Sequence, residues 1–513
     1  MKRATRTSKA EAEPEPPVLP PAPASNEKDE KKDGKTVEFQ GKGGAKTWGR
    51  AHKPNFMGAL AVYLMIIFCP ILPFYAYASC SAYECSITNL AQDIVATQSI
   101  LPFWNNIPTP SVQGFQILGV WVVFQALVYV YLPGPKGYGQ LTPAGKKLEY
   151  NVNGFSAYLL THVLFVFLSD MTPYSAGFFP ATIIADHYSS LLWACCAAGY
   201  IVATYAYIKA RVAPTHPEDR KFTGNFVFDY FWGVEFNPRE QWFPKIGQNA
   251  SGEGLDWKLY WVGRHGMMGW SLINLSLAVY QHRFLAAHPG HPSKFSPVAL
   301  PSHITNSMVL LNVLHTIYIA DFFYNEDWYL RTIDIAHDHF GFMFAWGDST
   351  WLTFMYALQS FYLINNPIEL PPVYFWTVAA LGFVGYAIFR ITNAQKDLAR
   401  STNGNCTIWG KPATFVRAEY TTSDGVKHDT LLLTSGFWGI ARHMNYTADL
   451  MGCLAYCMTC GLSHAMPYFY VIYMTLLLLG RNYRDESRCS GKYGDKWKEY
   501  CKQVPYVLIP GIF

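Results

Sequence analysis

Residues 431–450 read LLLTSGFWGIARHMNYTADL and run directly into an apolar segment spanning 447–463. If the stretch is helical, Arg442, Tyr446 and Asp449 fall at i, i+4 and i+7 and share one face. A cation, a phenol and a carboxylate at membrane depth are costly, roughly 2.5–3.5 kcal/mol for each charge at a helix centre. Such groups persist when they face a polar ligand or one another. The alternative is an interfacial anchor, with Trp438 and Tyr446 as belt aromatics. The residue pattern alone supports both readings.

Working outward, only 15% of the 513 residues are charged and half are hydrophobic, against roughly 25% charged in a soluble globular chain. Apolar runs recur near 56–78, 114–132, 155–170, 190–208, 259–281, 304–324, 341–364, 373–391, 447–463 and 467–480. A perpendicular span needs ~20 residues, so several of these runs are short. The fold expected is an all-α polytopic membrane protein of about ten transmembrane helices. Loop 79–112 holds Glu84 and Asp93 without Lys or Arg, whereas 133–150 carries Lys136, Lys146 and Lys147, and 209–222 carries Lys209, Arg211, Arg220 and Lys221. The excess of basic residues in alternate loops places the N-terminus in the cytosol. Loop 282–302, with Arg283 and Lys294 and no acid, breaks the pattern.

Residues 1–52 combine six prolines between Pro14 and Pro23 with a mixed-charge run, the composition of a disordered tail. No signal peptide precedes the first apolar run at Phe56. Cys453, Cys457 and Cys460 lie inside an apolar helical run without a fourth ligand and read as small buried residues. Cys80 and Cys85 share a predicted lumenal loop and are candidates for pairing.

Mid-chain, Gly and Pro punctuate Leu132–Gly154 into a structured loop. Residues 224–239, GNFVFDYFWGVEFNPR, set Asp229, Glu235 and Arg239 among aromatics, which suggests buried, paired charges. Around 332–348, Asp334, His337, Asp338, His339 and Asp348 invite a metal reading, but H-x-H suits a strand better than a helix face and no H-E-x-x-H is present. A polar cavity or internal pairing fits better, and no metal site is assigned. Late in the chain, Lys396 and Arg400 are i, i+4, and Asp485, Cys489 and Lys492 are i, i+4, i+7, followed by Tyr493, Trp497 and Tyr500. Two basic, aromatic patches of this kind can cradle a phosphorylated, ring-bearing cofactor. They fit positive-inside charge with interfacial aromatics equally well. The chain has neither a G-x-G-x-x-G after a strand nor a P-loop, which excludes a Rossmann domain as the nucleotide site.

The segments 224–239 and 431–450 resemble the two signatures of the sterol reductase family. WYLRTIDIAHDHFGFMFAWGDSTWL, NAQKDLAR, CTIWGKPA and the ending RDESRCSGKYGDKWKEYCKQVPYVLIPGIF are similar to it in the same order, over roughly 55–513. The resemblance implies an endoplasmic reticulum membrane enzyme, with residues 53–513 as the transmembrane domain and about 390–513 forming a cytosol-facing NADPH pocket. It implies a sterol substrate and the lipid bilayer as partners, association with other sterol-biosynthesis enzymes, and no nucleic acid. The family's cofactor positions carry over onto Lys396, Arg400, Leu433, Trp438, Asn445, Tyr446, Asp485, Cys489, Ser490, Gly491, Lys492, Tyr493 and Tyr500, with Arg442 and His443 in the same motif.

An unactivated C=C has no carbonyl to polarise, so a proton and a hydride must come from opposite agents. Tyr446 and Asp449 are the candidate proton donors, with Glu326, Asp338 and His339 as competitors. Overall likeness points to the C7=C8 bond, and a sister Δ14 enzyme is the alternative. A second enzyme class is an isoprenylcysteine-methyltransferase-like fold, whose R-H-P-x-Y motif has Pro where Asn445 stands and whose usual paired glutamates become Asp485-Glu486 here, which weakens it. The third is a non-catalytic sterol-binding scaffold. The sequon Asn405-Cys406-Thr407 is expected in the cytosol and therefore bare.

Overall fold

The computed structural model describes residues 56–142, 146–240, 254–291, 303–421 and 427–513; the tail expected over 1–52 lies outside them. Pro70 interrupts the first apolar run, since its ring lacks the N–H donor and crowds the preceding turn. The result is α1 (Phe56–Phe68) followed by α2 (Ile71–Ala82). Then come α3 (Val112–Tyr131), α4 (Gly154–Leu168), α5 (Tyr188–Val212), α6 (Met268–Ala287) and α7 (Asn306–Tyr324). The last four are α8 (Pro372–Ser401), α9 (Met444–Met458), α10 (Phe469–Tyr493) and α11 (Asp495–Gln503). Proline at the first position of α8 and a positive-φ Gly494 after α10 mark where these helices begin and end.

Among the described residues, five stretches are long and apolar enough to cross a bilayer: Phe56–Ala82, α3, α5, α7 and α8. The other expected spans are built differently. Helices α4 and α9 have 15 residues each. The run 259–281 opens as a π-helix, Tyr260–Met267, before α6. The run 341–364 is a π-helix, Gly347–Met355, between two short α-helices. Nearly all of that segment is buried, so it is free of the demand for a continuous apolar exterior.

The chain is mostly helical, as expected, and among the described residues four two-stranded antiparallel pairs are added to the helices. The loop expected at Leu132–Gly154 is a hairpin of β1 (Lys136–Leu141) and β2 (Lys147–Asn151). A second hairpin, β3 (Phe415–Thr421) with β4 (Lys427–Leu433), follows α8. Val416 and Ala418 point inward while Arg417 and Glu419 are exposed, the two-residue period of a half-buried strand.

Helix α8 packs along α9 at glycines: a Cβ on Gly385 would lie 2.9 Å from the Ala448 carbonyl oxygen. Charges in the aromatic segment 224–239 are paired as expected, with Arg239 Nε 3.2 Å from Asp256 and Asp229 accepting from Thr223. Arg264 and Glu326 form a fully buried pair at 2.7 Å. Arg264 Nη2 donates to Asn153 Oδ1 and the Gly154 N–H donates to Glu326 Oε2, each at 2.7 Å. Cys80 and Cys85 are joined as a disulfide, and Cys453, Cys457 and Cys460 are buried.

Candidate functional site

The end of α8 positions the first patch. The Trp438 indole N–H donates to the Thr392 carbonyl at 2.7 Å, and the Lys396 ammonium sits 4.5 Å above the Trp438 ring. The Phe437 N–H donates to Gln395 Oε1 at 2.9 Å. Gly436 makes this approach possible: its φ is +64°, and a Cβ there would fall 2.4 Å from Gln395 Oε1. Leu433 lies beneath, packed with Ala399, Ile408 and Trp438.

The expected face of Arg442, Tyr446 and Asp449 is not formed. Helix α9 starts only at Met444. The amides of Arg442 and His443 instead bond the Tyr506 and Val507 carbonyls, at 2.9 and 2.8 Å. The Arg442 guanidinium donates to the Val504 and Pro505 carbonyls and lies 3.6 Å from Glu486, so it ties the C-terminal segment to the site. Tyr446 and Asp449 do lie on one side of α9, and the cation within electrostatic range of both is Arg481. The His443 ring stacks on Tyr446 at 4.7 Å. Burial pushes His443 down to about 4, so it is neutral at pH 7. Its Nε2, 3.9 Å from Asp485, and the buried Asn445 Oδ1 have no hydrogen-bond partner among the described residues.

The polar half of α10 carries a row that sequence reasoning passed over. Arg481 bonds both oxygens of Asp334 at 2.8 and 3.0 Å. Arg484 bonds Asp338 at 3.0 and 3.3 Å, and Arg488 bonds Asp485 at 2.5 Å and His337 Nε2 at 2.8 Å. The spacing i, i+3, i+7 was legible as one helix face. Asp334 and Asp338 thus pair internally, as one of the two readings expected, while Asp348 has no ion pair among the described residues. Burial pushes Asp485 up, and Arg488 with the neighbouring groups more than offsets it, holding the carboxyl below its usual range.

One turn further, the Lys492 ammonium lies 3.7 Å over the Tyr420 ring and 5.2 Å over Tyr493. Burial, with Arg488 and Arg400 nearby, brings Lys492 down to about 8. Among the described residues Lys396, Arg400 and Lys492 have neither a carboxylate nor a hydrogen-bond partner. Three cations without an ion-pair partner, Lys396 and Lys492 over aromatic rings and Arg400 exposed, favour an anion. Tyr420 and its hairpin were missed because the chain was scanned for helices. Cys489 and Tyr500 sit deeper, packed with Val416, Ala418 and Trp497. Ser490 is exposed and Gly491 half-buried on the outer side of α10.

Below this patch, Tyr318, Asp348, Tyr356, Tyr446, Asp449 and Arg481 are enclosed by the bundle yet only partly buried. Their residual accessible surface marks polar space inside the bundle.

A profile of the Ergosterol biosynthesis ERG4/ERG24 family matches residues 36–513. The chain belongs to this family. ERG4/ERG24 relatives include proteins named 7-dehydrocholesterol reductase from Danio rerio and Xenopus laevis. They are 45% and 44% identical, covering 93% and 91% of this chain and 96% and 94% of theirs. A Delta(14)-sterol reductase of Methylotuvimicrobium alcaliphilum is more distant, 34% identical over 88% of this chain and 94% of its own.

Proposed function

We propose that the chain is an NADPH-dependent sterol reductase that saturates the C7=C8 bond in the endoplasmic reticulum membrane. The observation that carries the cofactor assignment is the trio Lys396, Arg400 and Lys492, none of them ion-paired among the described residues, with Lys396 over Trp438 and Lys492 over Tyr420 and Tyr493. The trio suits phosphate groups, the rings suit a base, and the unpartnered His443 Nε2 and Asn445 Oδ1 suit a carboxamide. Bond position is supported by relatives named 7-dehydrocholesterol reductase at 44–45% identity, against 34% for the Δ14 enzyme. We also infer that the shorter helices complete a ten-span bundle within residues 53–513. The N-terminus is then cytosolic, and the pocket formed by about 390–513 opens to the cytosol.

When bound, NADPH supplies the hydride. The protein holds the sterol in the polar space inside the bundle, excludes bulk water from the developing cation and donates a proton. Tyr446 and Asp449 remain the donors of choice, with Tyr318 now added because it lies within electrostatic range of Asp449.

The test is a sterol profile in microsomes from a host lacking Δ7 and Δ14 reductases. A 5,7-diene and an 8,14-diene are offered separately with NADPH. Loss of the 7,8 bond alone is expected. Loss of the 14,15 bond alone would make it a Δ14 enzyme, and failure to bind NADPH would overturn the reductase reading.

A further inference from the structure

Among the described residues, every arginine but three lies within 3.6 Å of a carboxylate oxygen. Arg400 is one of the three and belongs to the cofactor patch. The other two, Arg211 and Arg220, meet at one aromatic ring. The Arg211 guanidinium lies 3.9 Å over Tyr207, one turn earlier on α5, and 4.8 Å over Phe222. That of Arg220 lies 5.9 Å over the same Phe222 ring and donates to the Pro217 and Ala210 carbonyls, each at 3.1 Å. Acids in the neighbouring sequence are committed elsewhere. Glu218 pairs with Lys146, and Asp229 is buried and accepts from the Thr223 N–H and hydroxyl. Asp219 is buried and pairs with neither arginine. Two guanidiniums are thus left at Phe222 without a counter-ion among the described residues.

Arg211 is exposed and makes no hydrogen bond within the described residues. Cation–π attraction to two rings orients its plane, while the N–H edges stay open as a fork that suits phosphate. What covers this end of α5 follows from the rest of the helix, which is long and apolar enough to cross a bilayer. Ile201, Ile208 and Val212 are 67, 53 and 79% exposed and stand at i, i+7 and i+11 on one face, with Arg211 beside them at i+10. From Ile201 to Arg211 the helix rises about 15 Å, the hydrocarbon depth of one leaflet. Phe226, also exposed, packs 5.1 Å from Tyr207 and widens the apolar surface at the stripe's end. A soluble phosphate would leave that surface uncovered. A lipid covers both parts, with its tail along the stripe and its phosphate on the cations.

We propose that Arg211 and Arg220 bind the phosphate of an anionic phospholipid, whose acyl chain lies along the Ile201–Val212 face of α5. A phosphomonoester carries close to two negative charges at neutral pH, so phosphatidic acid matches the two guanidiniums best.

The experiment is native mass spectrometry of the full-length protein in detergent, with equimolar dioleoyl phosphatidic acid and dioleoyl phosphatidylcholine. Wild type should retain the phosphatidic acid with a preference of about tenfold, the lower end of what one hydrogen bond between charged groups contributes. Arg211→Gln should abolish most of that preference. Arg211→Lys keeps the charge without the fork and should fall between the two. Arg331→Gln, which removes an exposed arginine already paired with Asp327, should match wild type. Equal retention of the two lipids by wild type would overturn the proposal, as would an unchanged preference in Arg211→Gln. Glycerol 3-phosphate carries the phosphate without the tails. Its displacing the lipid at equal concentration would overturn the lipid assignment in favour of a soluble phosphate. The wild-type comparison needs no variant, so it decides the matter even where Arg211→Gln does not fold. Neither readout depends on NADPH or on turnover.

Discussion

Lys492 offers the sharpest test of the cofactor patch. Its ammonium has no carboxylate partner among the described residues and lies between Tyr420 and Tyr493. Replacing it by Met keeps the apolar stem and removes the charge. A hydrogen bond to a charged group contributes about 1.5–3 kcal/mol, so the Kd for NADPH should rise about 10- to 150-fold. The pH dependence follows from its surroundings. Burial, then Arg488 and Arg400, bring the lysine down to about 8, while Cys489 and Asp485 act in the other direction. Because a cation with a lowered pKa loses its proton as pH rises, wild-type affinity is highest below pH 7 and falls as pH passes about 8. Binding of phosphate favours the charged form, so NADPH binding near pH 8 takes up protons. Lys492→Arg keeps its charge and should flatten this fall. Calorimetric titration of purified protein at pH 7 and 9, in two buffers of different ionisation enthalpy, reads both quantities. Wild-type-like affinity in Lys492→Met would refute the reasoning, as would an unchanged pH profile in Lys492→Arg.

Asp449→Asn and Tyr446→Phe should each bind NADPH within threefold of wild type and lose turnover; full turnover in both, assayed in microsomes, would remove them as donors. Arg264→Met leaves Glu326 buried and unpaired, and loss of one partner of such a pair costs about 3–5 kcal/mol. Thermal unfolding followed by size-exclusion chromatography should show a clearly lower midpoint. Gly436→Ala forces a side chain into φ +64° and against Gln395, so NADPH affinity should fall with little change in overall folding, read by the same titration. Asn405, although exposed in a sequon, should carry no glycan, and a mobility shift on glycosidase treatment would invert the late topology.

Much of this protein was legible in its one-dimensional pattern. Apolar runs and the alternation of basic loops report membrane embedding because the bilayer imposes its thickness on any segment that crosses it. The helix ends at Lys396–Arg400 and Asp485–Lys492 were readable because neighbours within two turns of a helix are set by its period. Beyond that reach the pattern misled. Arg442 was assigned to a helix face, but its backbone is drawn into extended pairing with Tyr506. The cation facing Tyr446 and Asp449 came from Arg481, whose partner Asp334 is 147 residues away. The hairpin bearing Tyr420 was overlooked, since a short alternating run carries a weaker signal than an apolar helix. Local periodicity fixes which side chains share a face. Which cation meets which carboxylate, and which are left for an anion, is decided only when distant segments pack, because the strength of each charge depends on how far packing excludes water from it.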